Sequence, residues 1–363
     1  MANRRVYYAT YRVGIGPNGD PTLASVQGLQ SVTMNTSFNL EQVFEIGQQA
    51  LYENIEGIPA VECSMEKVLD GACPIYLLAT QDAADADGAG LGNRAATQCM
   101  VGMEIYGDTV ASVAYGGAAA VSAVQMSGMY VSSVSYSVSV DGNATESVSL
   151  VCSDKSWHGG TYFTFTDNPF LTNADSPLAI GGSGGVNRRE NILLGATGSV
   201  FPSQLPGVVA DAAGSGRVLL TGGEYGAHLQ NVSISTDMGR EELFELGRRG
   251  PYFRFVNFPV EVTSEFTMTS SSGDMINATE DVTAGTCEAA ANLVDSVIIL
   301  KMCEGLVVDC GTKNKLSSAN ITGGDATGGN QEITYSYSNF NDFSVYHPMD
   351  PQAGNASFVY SGG

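Results

Sequence analysis

The chain has 363 residues, of which 43% are hydrophobic and 15% charged, and 38 acidic against 16 basic residues give a net charge of −22. This charge repels nucleic acid and anionic lipid and argues against a tight DNA-binding role. The charged fraction is well below the usual share of about a quarter. Together with abundant Gly, Ser and Thr, it favours many short strands and large contact surfaces over a helical enzyme.

The first residues, MANRRVYYATYRVG, have no long apolar run after the two arginines. They therefore lack the core of a secretory signal. The most apolar segment, LVDSVIILKMCEGLVV, is interrupted by charges, so we expect no membrane span. An odd number of cysteines without a C-x-x-C pair argues against a zinc site or a disulfide framework, and we expect buried thiols in a reducing cytosol. The cysteines are Cys63, Cys73, Cys99, Cys152, Cys287, Cys303 and Cys310.

The stretch NLEQVFEIGQQALYEN places its apolar residues on one helical stripe, which predicts a short helix. The stripe consists of Leu40, Val43, Phe44, Gly47 and Leu51. A related later stretch, ELFELGRRGPYFRF, contains glycines and a proline. A bent strand fits that stretch as well as a helix does.

Strict alternation marks the stretch VSYSVSVDGNATESVSLVC, in which apolar residues alternate with serines on both sides of Asp141-Gly142. This pattern predicts a β-hairpin with one buried and one polar face. The second half of the chain has a similar return strand around Tyr335.

Two segments of the chain repeat. LQSVTMNTSFNLEQVFEIGQ from Leu29 and LQNVSISTDMGREELFELGR from Leu229 share eight identities in twenty positions without a gap. A fainter pair begins at Val131 and Leu316, and its spacing is somewhat shorter. Spacings this long are typical of domain duplication rather than of a solenoid. We therefore predict two homologous, mainly β, sandwich-like domains, each with at most one short flanking helix, at 1–178 and 186–363, joined by the Gly-rich linker 179–185.

Patterns of catalytic or metal-binding residues are weak. GGSGG matches the nucleophile-elbow pattern with Ser183, but its flanks do not predict the strand-to-helix turn that this chemistry needs, and a linker is favoured. DAADADG, with Asp82, Asp85 and Asp87, lacks the alternating ligands and the closing Glu of an EF-hand, so a solvated acidic loop is favoured. We predict no enzyme activity, no cofactor and no metal, and interpret each histidine as a solvated or core residue. The histidines are His158, His228 and His347.

At this point the residues carry a resemblance. The hairpin MYVSSVSYSVSVDGNATESVSLVCSDKSW, its counterpart DCGTKNKLSSANITGGDATGGNQEITYSYSNFNDFSV and the segment FELGRRGPYFRFVNFPVEVTSEF resemble bacteriophage tail tube proteins, also called major tail proteins. The resemblance implies β-sandwich domains in rings of six that stack into a hollow tube through which genomic DNA passes. With two domains per chain, it implies a homotrimeric, pseudo-hexameric ring. The acidic balance would then give a lumen that repels DNA.

The resemblance also implies partners and a location. The partners are further copies of this chain and other tail proteins: the tape measure, the terminator, the distal tail protein and, in a contractile tail, a sheath. The location is the virion tail, assembled in the bacterial host cytoplasm. We predict ring or stacking contacts in the repeated block, with the alternative that its Phe residues are core and its Gly residues only make turns. The block contains Glu41, Phe44, Glu45, Gly47, Glu241, Phe244, Glu245 and Gly247.

Three other functions stay open. A distal tail, tube-capping or baseplate ring protein would form one ring without extending it. A carbohydrate-binding β-sandwich would need an export signal and usually an exposed aromatic platform, whereas the chain has a single tryptophan, Trp157. A serine hydrolase would act through Ser183 and would react with a fluorophosphonate probe.

Overall fold

The computed structural model describes residues 10–81, 90–107, 119–166, 186–194, 198–210, 217–219, 227–271, 273–276, 293–323 and 329–348. These residues form mainly β-structure, which confirms the predicted fold class. The strands of the first half are β1 (Tyr11–Pro17), β2 (Thr22–Ser25), β3 (Leu29–Phe44), β4 (Leu51–Val68), β5 (Cys99–Ile105), β6 (Ser122–Ser139), β7 (Thr145–Cys152), β8 (Asp154–Gly159) and β9 (Thr164–Thr166).

The second half contributes eleven strands within the described residues. They are β10 (Val208–Ala210), β11 (Arg217–Leu219), β12 (Leu229–Asp237), β13 (Arg240–Leu243), β14 (Phe253–Val256), β15 (Glu261–Thr269), β16 (Ile299–Lys301), β17 (Val307–Asp309), β18 (Lys315–Thr322), β19 (Glu332–Phe340) and β20 (Ser344–Tyr346).

The helix predicted within residues 39–54 is wrong, because this stretch is a β-hairpin. Strands β3 and β4 pair across it, with Glu41 opposite Ile55 and Phe44 opposite Leu51. Among the described residues, none of the apolar residues of the predicted stripe belongs to a buried core cluster, so a helix here would have no described core to cover its apolar face. The described helices lie elsewhere, at α1 (Ile75–Ala79) and α2 (Leu91–Arg94), with a 3-10 turn at Arg189–Asn191.

Eight strands form the central part of the main sheet. The first half supplies the antiparallel order β3-β4-β7-β6, the second half supplies β12-β15-β19-β18, and β6 pairs with β12 between them. The corresponding strands therefore occur twice in the same order. The predicted hairpin of β6 and β7 is present, with Val134 opposite Val148.

Irregularities in strand pairing recur with the strand order. The β3–β4 pairing shifts register between Leu29 and Ser31, and the β12–β15 pairing shifts between Leu229 and Asn231. The β6–β7 shift lies between positions 131 and 133, and the β18–β19 shift lies between positions 316 and 318. The irregularities thus recur at the two spacings of the sequence repeat, the longer one from Leu29 to Leu229 and the shorter one from Val131 to Leu316.

A second layer of strands covers one face of the eight-stranded sheet. The first part of β6 pairs with β5 and β8, and β5 continues through β1 and β2 to β9. In the second half, β16, β17 and β20 form a separate three-stranded sheet. One apolar cluster includes residues from both halves, and in it the rings of Tyr76 and Phe343 meet edge to face at 5.9 Å.

A buried ionic network fixes α1 against the sheet. The Glu146 carboxylate accepts hydrogen bonds from the backbone N–H groups of Ile75 (2.6 Å) and Tyr76 (3.0 Å) and from the Tyr136 hydroxyl (2.9 Å). Burial raises the pKa of Glu146, although Lys67 and these hydrogen bonds oppose the shift. The buried Lys67 ammonium lies 3.2 Å from Asp70. The network thus joins β4, β6, β7 and α1.

Candidate assembly interface

The junction between the two halves is a continuous antiparallel strand pair, here called the closed joint. Ile234 lies opposite Tyr136, and the remaining residues of β12 follow in the same register. Val140 N–H donates to the Gln230 carbonyl (3.0 Å), and Met238 N–H donates to the Ser132 carbonyl (2.8 Å). Because backbone groups alternate in direction along a strand, the even-numbered residues of β12 direct their N–H and C=O groups towards β6.

Two β-hairpin arms extend from the sheet at equivalent places. Arm 1 comprises residues 38–58 of β3 and β4, and arm 2 comprises residues 238–258 with β13 and β14. Each arm ends in the same turn, with backbone hydrogen bonds from Gln48 to Glu45 (3.3 Å) and from Arg248 to Glu245 (3.4 Å). The third turn residue has a positive φ in both arms, 96° at Gly47 and 87° at Gly247, which favours glycine there.

Arm 2 packs on the first half of the chain beside the closed joint. The Arg240 guanidinium donates to the Val131 carbonyl through Nε (2.9 Å) and lies 5.1 Å from the centroid of the Tyr130 ring. Phe253 meets the same ring edge to face at 5.5 Å. Burial lowers the pKa of Arg240 to about 10, while Tyr130 and Tyr76 oppose the shift.

Arg254 and Arg249 add polar contacts from arm 2. Arg254 Nε lies 2.8 Å from Glu242, and its guanidinium also donates to Ser153 of the first half. Arg249 donates to the Gly57 carbonyl of arm 1 (3.3 Å) and lies 3.9 Å from Glu56. Both members of the Arg249–Glu56 pair are exposed, so this ion pair adds little stability.

All eight residues predicted as contact candidates lie in the arms. The alternative that the two phenylalanines are core residues is wrong, because Phe44 is 65% and Phe244 56% exposed. The turn explanation accounts for both glycines. The four carboxylates are exposed as well, and a contact role for them stays a prediction. Those carboxylates are Glu41, Glu45, Glu241 and Glu245.

Sequence reasoning missed the Arg240–Tyr130 contact. These residues lie far apart along the chain, and no local pattern links them. The one signal was that Arg240 and Leu40 occupy the same place in the repeat, which marks a position where the two arms differ.

Within the described residues, the eight-strand array ends in two strands with one partner each, here called the open edges. Strand β3 pairs with β4, and β18 pairs with β19. Two residues that are buried at the closed joint have exposed equivalents there. Tyr136 is 1% exposed, whereas its equivalent at the shorter spacing, Ile321, is 47% exposed. Met238 is 0% exposed, whereas its equivalent at the longer spacing, Phe38, is 71% exposed.

The sheet face opposite the core is almost wholly polar. Hydroxyl groups meet across strands at Ser64 and Ser149 (2.9 Å) and at Thr267 and Thr334 (3.2 Å). Among the described residues of the eight strands outside the arms, the cation on this face is Lys315 at one end of β18. The face is therefore acidic. Its carboxylates are Glu62, Glu66, Asp237, Glu261, Glu265 and Glu332.

The histidines lie apart from one another in sequence and in their contacts. His158 stacks on Tyr162 at 3.7 Å. Burial, with a smaller contribution from Lys67, lowers the pKa of His347 to about 3. The His228 carbonyl accepts a hydrogen bond from Thr269 (2.9 Å). Across the described part of the chain, no three His, Cys, Asp or Glu side chains cluster as metal ligands would.

Several sequence predictions fall outside the described residues, namely the linker 179–185 with Ser183, the acidic loop with Asp82, Asp85 and Asp87, and Cys287. The other six cysteines are free thiols, and burial raises the pKa of Cys63 to about 12. No helix in the described ranges is long and apolar enough to cross a membrane.

Neither a scan of protein-family models nor a search of curated proteins finds a match. Among solved structures, the anti-feeding prophage cap, a tube-terminating cap, aligns at 10% identity over 44% of this chain and 94% of its own, with a TM-score of 0.32. A chain of the PVC sheath-tube complex, from an extracellular contractile injection system, aligns at 10% identity over 43% and 92%, with a TM-score of 0.31.

A chain from the virion of a native gene transfer agent aligns at 15% identity over 40% of this chain and 95% of its own, with a TM-score of 0.24. All three TM-scores lie below 0.5, so these similarities do not establish a shared fold.

Proposed function

We propose that this chain is a structural tail protein that closes into rings and that the rings stack into a tube. The observation that carries the proposal is the closed joint, in which β6 pairs with β12 between two equivalent sets of strands. The equivalents of these two strands, β18 and β3, lie at the ends of the array and each has one partner among the described residues. The proposal includes the duplication itself, with units at 1–178 and 186–363.

Head-to-tail pairing follows from this arrangement. If β18 of one chain pairs with β3 of the next as β6 pairs with β12, Ile321 lies opposite Met34, in the register of Tyr136 and Ile234. Contacts of this heterologous kind make a ring when the rotation closes. The resemblance to tail tube proteins sets the count at six units, hence three chains with pseudo-sixfold symmetry.

The polar face of the sheet supports a conduit role. When the array closes with its core layers outward, this face lines the lumen. Its carboxylates would repel the phosphates of DNA, and among the described residues of the eight strands outside the arms one cation, Lys315, gives few binding points. DNA would therefore pass without specific binding on its way to the host.

The arm tips support stacking of rings. Ile46 and Leu246 occupy the same position in the two tip turns, and both side chains are fully exposed. Apolar side chains presented in this way favour contact with another protein surface. Two tips per chain would give a ring six such contacts with the next ring.

Negative-stain electron microscopy of the purified protein, concentrated in moderate salt to screen its charge, tests the proposal. We expect rings and hollow tubes with threefold or pseudo-sixfold end views. Single rings that never extend would favour a capping, distal tail or baseplate ring protein. Monomers that persist at high concentration and in the presence of preformed tail tips would contradict the proposal.

A further inference from the structure

We propose that arm 1 docks on the second half of a neighbouring copy of this chain, where Glu53 forms an ion pair with Lys315 and where Phe38 and Leu40 pack against the exposed Phe340. This inference rests on the proposed head-to-tail ring. It makes arm 1 a second contact between chains, beside the proposed pairing of β18 with β3. The side chains in this contact differ from those with which arm 2 contacts the first half of its own chain.

Strand registers fix which residues correspond in the two arms. Arg240 pairs with Val256 in arm 2, and Leu40 pairs with Glu56 in arm 1, so both strands keep the longer spacing of the repeat. Arg240 therefore corresponds to Leu40. In the same count, Phe253 corresponds to Glu53, which lies opposite Val43 as Phe253 lies opposite Leu243.

The receiving surfaces correspond in the same way. Tyr130 lies opposite Val151 just before the irregularity in β6, and Lys315 lies opposite Ser338 just before the irregularity in β18. Tyr130 thus corresponds to Lys315, and the adjacent Val131 corresponds to Leu316. On the partner strands, Val151 corresponds to Ser338. Two residues further along, Ser153 therefore corresponds to Phe340.

Placed by this correspondence, the side chains remain complementary although their chemistry changes. Within the chain, Arg240 and Phe253 of arm 2 both contact the ring of Tyr130. Between chains, Leu40 and Glu53 of arm 1 would face Lys315. The contact between a cation and an aromatic ring within the chain, Arg240 on Tyr130, thus corresponds between chains to a carboxylate facing an ammonium group, Glu53 on Lys315. Such an ion pair is favourable at short range.

Lys315 already has one carboxylate neighbour in its own chain, Asp295 at 3.3 Å. Both side chains are more than half exposed, so the ammonium group keeps free donor directions for a second carboxylate. Glu53 would add the second carboxylate around this one cation and convert an exposed pair into a network across the joint.

Apolar side chains are exposed where the closed joint is covered. Phe38, the equivalent of the buried Met238, is exposed, and so are Leu40 and Phe340. Arm 2 covers the surface around Tyr130 on the first half of its own chain. Among the described residues, no arm of the same chain covers the equivalent surface on the second half. A neighbouring arm 1 would bury these three side chains together.

The inference makes joints between chains more sensitive to salt than joints within chains. In a ring of three chains, covalently continuous joints alternate with joints that depend on the Glu53–Lys315 pair. Screening weakens exposed charge pairs. Raising the salt concentration after assembly should therefore divide rings into folded chains, not into half-chains or unfolded protein.

Charge reversal tests the pairing directly. We would compare wild type, Glu53→Lys, Lys315→Glu and the double variant by sedimentation velocity and electron microscopy, with circular dichroism to verify folding. Glu66→Lys is the matched control, because this exposed β4 carboxylate lies on the polar sheet face and outside the arm. We expect each single reversal to raise the concentration needed for rings at least tenfold, and the double variant to recover most of this loss.

The outcomes separate this inference from the proposed function. Wild-type rings whose formation is unchanged by either single reversal would overturn the arm pairing and leave the ring proposal intact. A double variant that assembles worse than both single variants would also overturn it, because a direct pair predicts recovery. Wild-type protein that never forms rings would overturn both proposals.

Discussion

The closed joint and the open edges use corresponding strands in two different situations. At the closed joint, Tyr136 and Ile234 are buried opposite each other. At the open edges, their equivalents Ile321 and Met34 lie on strands that each have one described partner. The strand order and the irregularities are the same at both places. The comparison teaches that the same position of the repeat can be buried or exposed: Tyr136 and Met238 are buried where β6 and β12 pair, whereas their equivalents Ile321 and Phe38 are exposed on strands with one described partner.

Proline substitutions should give the largest difference between the two places. Ile234→Pro removes an N–H group directed into the closed joint, and we expect a loss of about 3 kcal/mol or more in the free energy of unfolding. Met34→Pro removes the equivalent N–H group at an open edge, where proline is tolerated. We expect a folded chain that forms no rings. Urea unfolding and sedimentation velocity check both expectations, and an equally unstable Met34→Pro chain would contradict the comparison.

The buried carboxyl group of Glu304, near Asn187 and Asp70, makes the free energy of unfolding sensitive to pH. Burial raises the pKa of Glu304 from 4.5 to about 7, and Asp70 adds to the shift, while Asn187 and Lys67 oppose it. The unfolded chain releases this proton more easily, so the cost to folding is absent below about pH 4.5 and complete above about pH 7.

Glu304→Gln should remove this cost. Each pKa unit corresponds to about 1.4 kcal/mol, so we expect the variant to be more stable than wild type by on the order of 3 kcal/mol at pH 8. Near pH 4 the two proteins should be equally stable. Thermal or urea unfolding at both pH values measures the difference. The same gain at both pH values would mean that ionisation of Glu304 is not its cause.

Truncation of Arg240 and Leu40, which occupy the same position in the two arms, should have a smaller effect on the free energy of unfolding. Arg240→Ala removes the hydrogen bond to the Val131 carbonyl and the contact with Tyr130, and we expect a loss of about 2 kcal/mol in the free energy of unfolding. The matched variant Leu40→Ala should change monomer stability by less than about 0.5 kcal/mol, since Leu40 is exposed. It should weaken ring formation instead. A stability loss as large as that of Arg240→Ala would show that arm 1 is already covered in the free chain.

The smallest effect on the folded monomer is expected from reversing the repeated carboxylates. Glu41→Lys together with Glu241→Lys changes exposed residues of the arms, so the free energy of unfolding should shift by less than about 0.5 kcal/mol. Assembly should nevertheless be blocked if these residues contact neighbouring chains or rings. Sedimentation velocity checks this, and tubes that form as readily as those of wild type would remove Glu41 and Glu241 from the contact set.

Strand periodicity was enough to predict the hairpin of β6 and β7, because Ser alternates with Val and Tyr across Asp141-Gly142. The same kind of reasoning failed for residues 39–54. There, apolar residues at helical spacing lie in a hairpin arm, where Leu40 and Phe44 are exposed. Periodicity presumes a core in the same chain, so it misleads where the apolar surface is directed outward.

The sequence by itself determined that the chain is mainly β, that two pairs of segments recur at long and slightly different spacings, and that its charge is strongly acidic. These properties follow from composition and local patterns. Only the tertiary structure decided that β6 pairs with β12, that Arg240 lies over Tyr130, and that the carboxylates of the central strands share one polar face. Each of these depends on strands distant in sequence being brought side by side, and strand pairing is set by packing of the whole sheet rather than by neighbouring residues.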